Sequence, residues 1–400
     1  MSPRPGIPSS AVAAARTRAD HNQAVSFAPP AIGAEEIAEV VETLESGWLS
    51  TGPRVAAFEQ AFAEYTGADY AIALNSCTAA LHLSLLAAGI GEGDEVVTTP
   101  LTFCSTANVV VHTGATPVFA DIDSNTFNLD PRAAGSAVTV RTRAILPVHF
   151  GGRPAEMTAL RSLAARRGLT LVEDAAHCVE GIAQGRKVGS IGDFTCFSFY
   201  ATKNLTTGEG GMVTTSDAKA ASFIRTASLH GMSRNAWTRY APGGSAQYDV
   251  LMPGFKYNMM DLQAALGLHQ LAAIDTRLAR RAAIWAQYDE ALAELPLRRP
   301  APVRAGDVHA RHLYTVLVEP ASGLSRDALQ ATLRERGIAT SIHFRALHLQ
   351  PFYQERFGLR RGMFPAAEAV SDSTLSLPLS AAMAPGAVDR VIEALHDVLG

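Results

Sequence analysis

A lysine that bonds covalently to a carbonyl must reach it as the neutral amine, and Lys203 of this 400-residue chain is placed for that chemistry. It follows the apolar, aromatic run Phe197-Ser198-Phe199-Tyr200-Ala201-Thr202. The glycine-rich turn Asn204-Leu205-Thr206-Thr207-Gly208-Glu209-Gly210-Gly211 comes next, ahead of the strand-like Met212-Val213-Thr214-Thr215. A lysine at a junction between two buried strands loses solvation, so its ammonium pKa falls and a nucleophilic amine becomes available near neutral pH. Schiff-base chemistry requires such an amine. The plainer reading is a solvated lysine on a hairpin loop, since lysine is rarely buried unpaired. Two other stretches decide between them.

The run Leu171-Val172-Glu173 ends at Asp174-Ala175-Ala176-His177, which puts a carboxylate and an imidazole at one strand tip. The run Ala71 to Leu74 ends at Asn75-Ser76-Cys77-Thr78 and enters a helical pattern, so hydroxyls and free backbone N–H groups gather at a helix N-terminus. That arrangement favours a phosphate. Alone, Asp174 reads as a helix N-cap and Ser76-Cys77-Thr78 as a capping turn, and His177 as a structural histidine. Taken with Ser198 and Lys203 at a third tip, they match the needs of pyridoxal phosphate. A carboxylate keeps the pyridine nitrogen protonated, a helix end takes the phosphate, and a lysine holds the aldehyde. There is no strand-linked G-x-G-x-x-G and no Walker A pattern, which leaves the usual nucleotide folds without support.

These residues need a frame that brings strand tips together. Candidate strands are Ala71 to Leu74, Glu95 to Thr99, Pro117 to Ala120, Ala144 to Val148, Thr170 to Glu173, Phe194 to Phe199 and Met212 to Thr215. Helical stretches such as Ala79 to Ala88, Ser105 to His112 and Ala155 to Arg167 separate the earlier ones. This alternation predicts an α/β fold with a mainly parallel sheet covered on both faces by helices, and ligands bind at the carboxyl ends of such strands. Ahead of them, Ile37, Val40, Val41 and Leu44 mark an amphipathic helix. After Asp261 long helical patterns take over, then a strand at Leu313 to Val318, a helix near Arg326 to Arg336, a strand at Ile338 to His343 and a terminal helix. The expected organisation is a disordered tail over residues 1–24, a large domain over 25–261 and a smaller α/β domain over 262–400.

Composition narrows the partners. A formal net charge of −4 gives no basic field for a polyanion, which argues against nucleic acid and for small ligands. Cys77, Cys104, Cys178 and Cys196 show no zinc or disulfide spacing and read as reduced thiols of a cytoplasmic protein. No apolar run approaches the ~18 residues that would span a bilayer, and the first two dozen residues lack the apolar core of a secretion signal.

From about Ala31 onward the chain resembles the DegT/DnrJ/EryC1/StrS sugar aminotransferases. The resemblance rests on Ser46-Gly47-Trp48, Gly91-Glu92-Gly93-Asp94-Glu95-Val96, Glu173-Asp174-Ala175-Ala176-His177, the Lys203 segment and Pro253-Gly254-Phe255-Lys256-Tyr257-Asn258-Met259. It implies the aspartate aminotransferase fold (fold type I), with pyridoxal 5′-phosphate as cofactor. Lys203 would then be the Schiff-base lysine, Asp174 the partner of the ring nitrogen, and His177 a neighbour of the ring or its 3′-oxygen. It also implies Cys77, Thr78 and Ser198 as phosphate ligands, Phe103 as the aromatic ring stacked on the cofactor, and Asn258 as a residue reaching the neighbouring subunit's cofactor in a homodimer with shared active sites. His343 and Lys256 resemble residues near the sugar. Cys77, where the family commonly has alanine, alters no backbone donor.

The implied reaction moves an amino group from L-glutamate to a nucleotide-linked keto sugar. Similar sugar dehydratases carry a histidine at the lysine position, so deoxygenation is disfavoured. Asn75 to His82, Lys256 to Asp261, Ser325 to Leu329 and His343-Phe344-Arg345 look like the branch that aminates C4 of UDP- or dTDP-linked 4-keto-6-deoxy sugars or 4-keto pentoses. A 3-keto sugar or cyclitol substrate is the alternative within the family, and a non-catalytic regulatory homologue the alternative outside enzymes. An enzyme acting on amino acids alone would need an arginine for the substrate carboxylate, for which Arg234, Arg239 and Arg345 are candidates.

Overall fold

Strands rich in Val, Ile, Leu and Phe, buried on both faces, build the sheet that carries the site. A computed structural model describes residues 24–233 and 247–400; the expected tail, apart from residue 24, lies outside them, as do Arg234 and Arg239. The strands of the main sheet are β1 (Tyr70–Leu74), β2 (Glu95–Thr98), β3 (Thr116–Phe119), β4 (Thr142–Leu146) and β5 (Thr170–Asp174). A two-stranded hairpin, β6 (Ile182–Ala183) and β7 (Arg186–Lys187), precedes the last two, β8 (Phe194–Ser198) and β9 (Gly211–Thr215). Their order is β1-β9-β8-β5-β4-β2-β3.

β3, β2, β4, β5 and β8 run parallel, while β9 is antiparallel to both β8 and β1. Two reversals restore the direction, so β1 points the same way as β5 and β8. The carboxyl ends Leu74, Asp174 and Ser198 therefore share one edge of the sheet, and β9 begins there, with Gly211 opposite both Leu74 and Ser198. Helices Cys77–Ala87, Ser105–His112, Met157–Arg167 and Ala218–Ala227 connect or flank the strands. The first of these is apolar nearly all round and buried from Ala79 to Leu85, as a helix inside a large core must be.

Helix Asp261–Ala272 packs on helices Ala34–Glu45 and Pro53–Thr66. Its first residue caps a distant helix: Asp261 Oδ1 accepts from the N–H groups of Gly52 (2.8 Å) and Val55 (3.0 Å), and Oδ2 from that of Arg54 (3.2 Å). In helix Ala34–Glu45 the apolar stripe lies outward, with Ile37, Val41 and Leu44 exposed and Glu36 and Thr43 buried. Glu36 is satisfied there by Arg277 at 2.7 Å and Gln270 at 2.6 Å. Among the described residues no helix is long and apolar enough to cross a membrane.

A second core gathers around the antiparallel strands β10 (Leu297–Arg298), β11 (Tyr314–Val318) and β12 (Thr374–Leu377). Helices Ile274–Ala291, Arg326–Glu335 and Ala387–Leu399 supply Ile284, Tyr288, Leu329, Leu333, Val391 and Leu395. The strand expected over Ile338 to His343 does not form. The segment makes only two isolated bridges, Ile338 to Val25 and Ser341 to Ser376. With a different partner at each end it builds no continuous ladder, and its last residues, Ser341 to His343, line the main cavity.

Candidate active site

The sheet edge opens into a cavity of about 520 Å³ whose lining includes Cys77, Thr78, Asp174, His177, Ser198 and Lys203. Phe103 and His343 line it as well. Asn258 and Lys256 do not. They lie on a segment outside it, where Asn258 bridges Leu74 and the Asn75 N–H donates to the Tyr257 carbonyl at 2.7 Å.

Lys203 sits in the loop between β8 and β9, closed at its base by Phe199 N–H to Gly210 O and Thr207 N–H to Phe199 O, both 2.9 Å. Within it the Lys203 N–H donates to Tyr200 O at 2.9 Å, and buried Phe199 and Leu205 anchor it in the core. Burial pushes the Lys203 amine down to about 8, against the raising influence of Cys77 and Asp174. An ammonium that deprotonates so easily spends part of its time as a nucleophile at neutral pH.

Asp174 ends β5 and is buried. Its Oδ2 accepts from Thr106 Oγ1 at 2.8 Å and its Oδ1 from the Ala176 N–H at 3.1 Å. Burial raises its pKa, and these hydrogen bonds and Lys203 oppose the rise. Two donors leave roughly half of the carboxylate's four or so acceptor positions unused. A cation brought beside this carboxylate would restore its ionised form, which fits a protonated pyridine nitrogen. His177 accepts the Gly151 N–H on Nδ1 at 3.2 Å, which puts its proton on Nε2. Burial, then Lys203 and His312, hold it well below the ordinary histidine range.

The third tip is the turn into helix Cys77–Ala87. Ser76 Oγ accepts the Ala79 N–H at 3.1 Å. The N–H groups of Cys77 and Thr78 at the first turn have no intrahelical acceptor, and both residues line the cavity. β9 starts hard against this turn: a Cβ on Gly211 would fall 2.3 Å from the Ser76 carbonyl carbon and 2.6 Å from the Cys77 nitrogen. Only glycine lets the backbones approach this closely. A dipole end with spare N–H groups, the Ser198 hydroxyl, a carboxylate short of a cation and an easily deprotonated amine make a donor set that fits pyridoxal phosphate.

Several partners of these groups escape sequence reasoning. Asn204, next to the lysine, donates from Nδ2 to Glu180 Oε2 at 3.0 Å and to Ala310 O at 2.8 Å, while its Oδ1 pairs with His312 Nδ1 at 3.0 Å. Glu180 in turn pairs with buried Arg281. His312 lies against His177, with ring centroids 4.4 Å apart. Thus the turn bearing Lys203 is tied from behind to the chain that leads into β11. Thr106 gave a weak signal as a hydroxyl on the buried face of an apolar helix. Asn204 gave one by its position, but Glu180, Arg281 and His312 gave none.

The opposite wall is Ser341 to Phe344. His343 Nδ1 pairs with Ser376 Oγ at 2.8 Å, and Ser376 Oγ with Thr315 Oγ1 at 2.9 Å. Burial, with Lys203 second, drives the His343 pKa down to about 3.

Such a pocket, at the carboxyl edge of such a sheet, defines the pyridoxal phosphate-dependent aminotransferases of fold type I. Comparison with known proteins narrows the class. The sequence profile of the DegT/DnrJ/EryC1/StrS aminotransferase family matches residues 30–396. The chain is 53% identical over 380 residues, 94% of its own length and 98% of the other's, to the spore coat polysaccharide biosynthesis protein SpsC of Bacillus subtilis. The sugar aminotransferase Spr1654 of Streptococcus pneumoniae, in its PMP form, superposes with a TM-score of 0.87 at 34% identity, covering 94% of this chain and 98% of that one. DesV of S. venezuelae superposes with a TM-score of 0.83 at 36% identity, covering 91% and 94%. The chain belongs to the DegT/DnrJ/EryC1/StrS family and is a pyridoxal phosphate-dependent sugar aminotransferase.

Proposed function

We propose that the protein transfers the amino group of L-glutamate to C4 of a nucleotide-linked 4-keto sugar, with UDP or dTDP as the nucleotide. The observation that carries this reading is the convergence of Lys203, Asp174 and the Cys77–Thr78 turn on one cavity of about 520 Å³, large enough for a cofactor and a sugar together. Bound pyridoxal phosphate supplies the aldehyde and the electron-withdrawing ring that make the hydrogen on an amino-bearing carbon acidic. Asp174 holds the proton on the ring nitrogen. Ser198 and the N–H groups of Cys77 and Thr78 bind the phosphate, and Phe103 and His177 confine the ring. Lys203 takes the proton from the donor's α-carbon on Nζ and returns it on the product side. Glutamate leaves as 2-oxoglutarate, and the keto sugar leaves as the amino sugar.

The regiochemistry rests on the likeness of Asn75 to His82 and of Lys256 to Asp261 to C4-aminating members. The similarity to a spore coat polysaccharide protein supports a sugar destined for a cell-surface polymer. We further propose a homodimer with shared active sites, in which Asn258 reaches the partner's cofactor and Lys256 the partner's sugar. One feature supports association: the apolar stripe of Ile37, Val41 and Leu44 lies exposed. The enzyme is to be incubated with L-glutamate and a panel of 3-keto and 4-keto nucleotide sugars, with the products assigned by NMR and the active species sized by sedimentation. Turnover of the 4-keto sugars by a dimer is expected. Turnover of 3-keto substrates alone would reject the regiochemistry, and an active monomer would reject the shared site.

A further inference from the structure

A second cavity of about 380 Å³ lies behind the sugar-side wall of the first, and three arginines line it: Arg326, Arg345 and Arg361. They come from separate elements, namely the start of helix Arg326–Glu335, the segment after β11 and its helix, and the loop beyond helix Pro351–Phe357. Gathering three guanidinium groups around an open space costs repulsion that the fold must offset. Arg326 is offset locally: Nε pairs with Asp327 at 2.6 Å and Nη1 donates to the carbonyls of Thr374 at 3.1 Å and Ser371 at 3.4 Å. Arg361 is held by Asp372 at 2.8 and 3.1 Å. Arg345 is different. It is exposed, its Nη2 donates to Leu349 O at 3.0 Å, and it makes no ion pair among the described residues. Asp372 is the one carboxylate among the lining residues, so the lining carries two positive charges more than negative.

Position decides what anion this is. Ile342 lines both cavities, so the arginine cavity lies one residue's thickness from the wall that faces Lys203. A ligand with an uncharged ring beside the lysine and a strongly anionic extension passing round Ile342 would reach both. Guanidinium groups bind phosphate oxygens in parallel pairs of hydrogen bonds, and the volume lies within the ~300–1,000 Å³ of small-ligand pockets. We propose that this cavity receives the diphosphate of the nucleotide-linked sugar, with Arg345 as its principal contact and Arg361 swinging from Asp372 to join it. The inference rests on the reading of the substrate as a nucleotide sugar, and it names the residues that would recognise the charged part.

The test separates the two half-reactions. Holoenzyme is titrated calorimetrically with UDP, dTDP and inorganic pyrophosphate, in the wild type and in Arg345→Ala, Arg345→Glu and Arg361→Ala. The glutamate and keto-sugar half-reactions are then followed separately by the absorbance of the bound cofactor. Loss of a charge-assisted contact predicts that Arg345→Ala weakens nucleotide binding and raises the keto-sugar KM by about tenfold or more. Its kcat should stay within about twofold, and the glutamate half-reaction should not change. Arg345→Glu should be worse than Arg345→Ala, and melting curves show whether either has lost its fold. Nucleotide binding by Arg345→Ala and Arg345→Glu as tight as wild type would overturn the assignment. So would a defect confined to the glutamate half-reaction, which would give the arginines to the donor's carboxylate. Wild-type enzyme that ignores every nucleotide and aminates only free sugars would overturn the substrate reading itself, a distinct result.

Discussion

The two walls of the main cavity are built by different means. On the cofactor side, each functional group sits at the end of a strand in one sheet or in the turn that follows it, and has dedicated partners. Thr106 and Ala176 hold Asp174, Gly151 holds His177, and the loop base at Phe199 and Gly210 holds Lys203. On the sugar side, Ser341 to Phe344 is joined to the smaller sheet by a single bridge, Ser341 to Ser376, with His343 held by two hydroxyls of β12, Ser376 at its ring and Thr374 at its carbonyl. Position on the first wall is set by a cooperative sheet, whereas on the second a few side-chain contacts set it. The rigid wall suits chemistry common to many substrates, for which fractions of an ångström matter. The looser one can change its recognition residues without disturbing the sheet.

The largest effect should come from the rigid wall. With Lys203 as the proposed anchor and proton carrier, Lys203→Ala should lower transamination by at least about a thousandfold, and the purified protein should lose the near-visible band of its bound cofactor. A reducible covalent link to the cofactor that persists in the variant would mean that another amine carries the chemistry, and the contrast between the walls would dissolve.

Asn204→Asp asks whether the lysine's turn depends on its rear anchor. The new carboxylate faces Glu180 Oε2 across what is now a 3.0 Å hydrogen bond, and it loses the amide donors to Glu180 and Ala310. Like charges at that distance, partly buried, should cost about 2–3 kcal/mol of stability. Because one turn serves both half-reactions, their kcat values should fall together, unlike the one-sided defect expected of Arg345→Ala. Asn204→Ser keeps no amide but adds no charge, and should be milder. Unchanged melting and unchanged kcat in Asn204→Asp would show that the loop base alone positions Lys203.

Much of the rigid wall was legible from sequence because its signals are local. Apolar runs marked all seven strands, and the residues following them named the tips. Two strand reversals, which put β1 in line with β5 and β8, are not written in any one segment, yet the convergence follows once the runs are paired. Elsewhere local signals misled. Ile338 to His343 has the composition of a strand, but its neighbours Val25 and Ser376 come from two different elements and leave no ladder between them. The stripe of Ile37, Val41 and Leu44 did mark the helix Ala34–Glu45, although periodicity gives a face and not its direction, and here the face turns outward while Glu36 is buried. The Asn204 anchor was invisible because Ala310 and His312 lie more than a hundred residues away along the chain.

The smallest effect belongs to the looser wall and concerns pH. His343 has its pKa lowered from 6.5 to about 3 by burial and by Lys203. Between those values the unfolded chain binds a proton at this position that the folded chain does not. Unfolding is therefore favoured as pH falls through that window, and the stabilisation is complete only above about 6.5. His177, His309 and His312 are shifted in the same direction and add to the slope. Replacing His343 by Gln, which can still donate to Ser376, should remove up to one proton from the pH dependence of stability between about pH 4 and 6, with little change at pH 8. Denaturant unfolding at pH 5 and pH 8 measures this directly. If His343→Gln leaves the slope as it was, His343 already carries its proton in the folded chain, and the sugar-side wall is more open to water than the described packing allows.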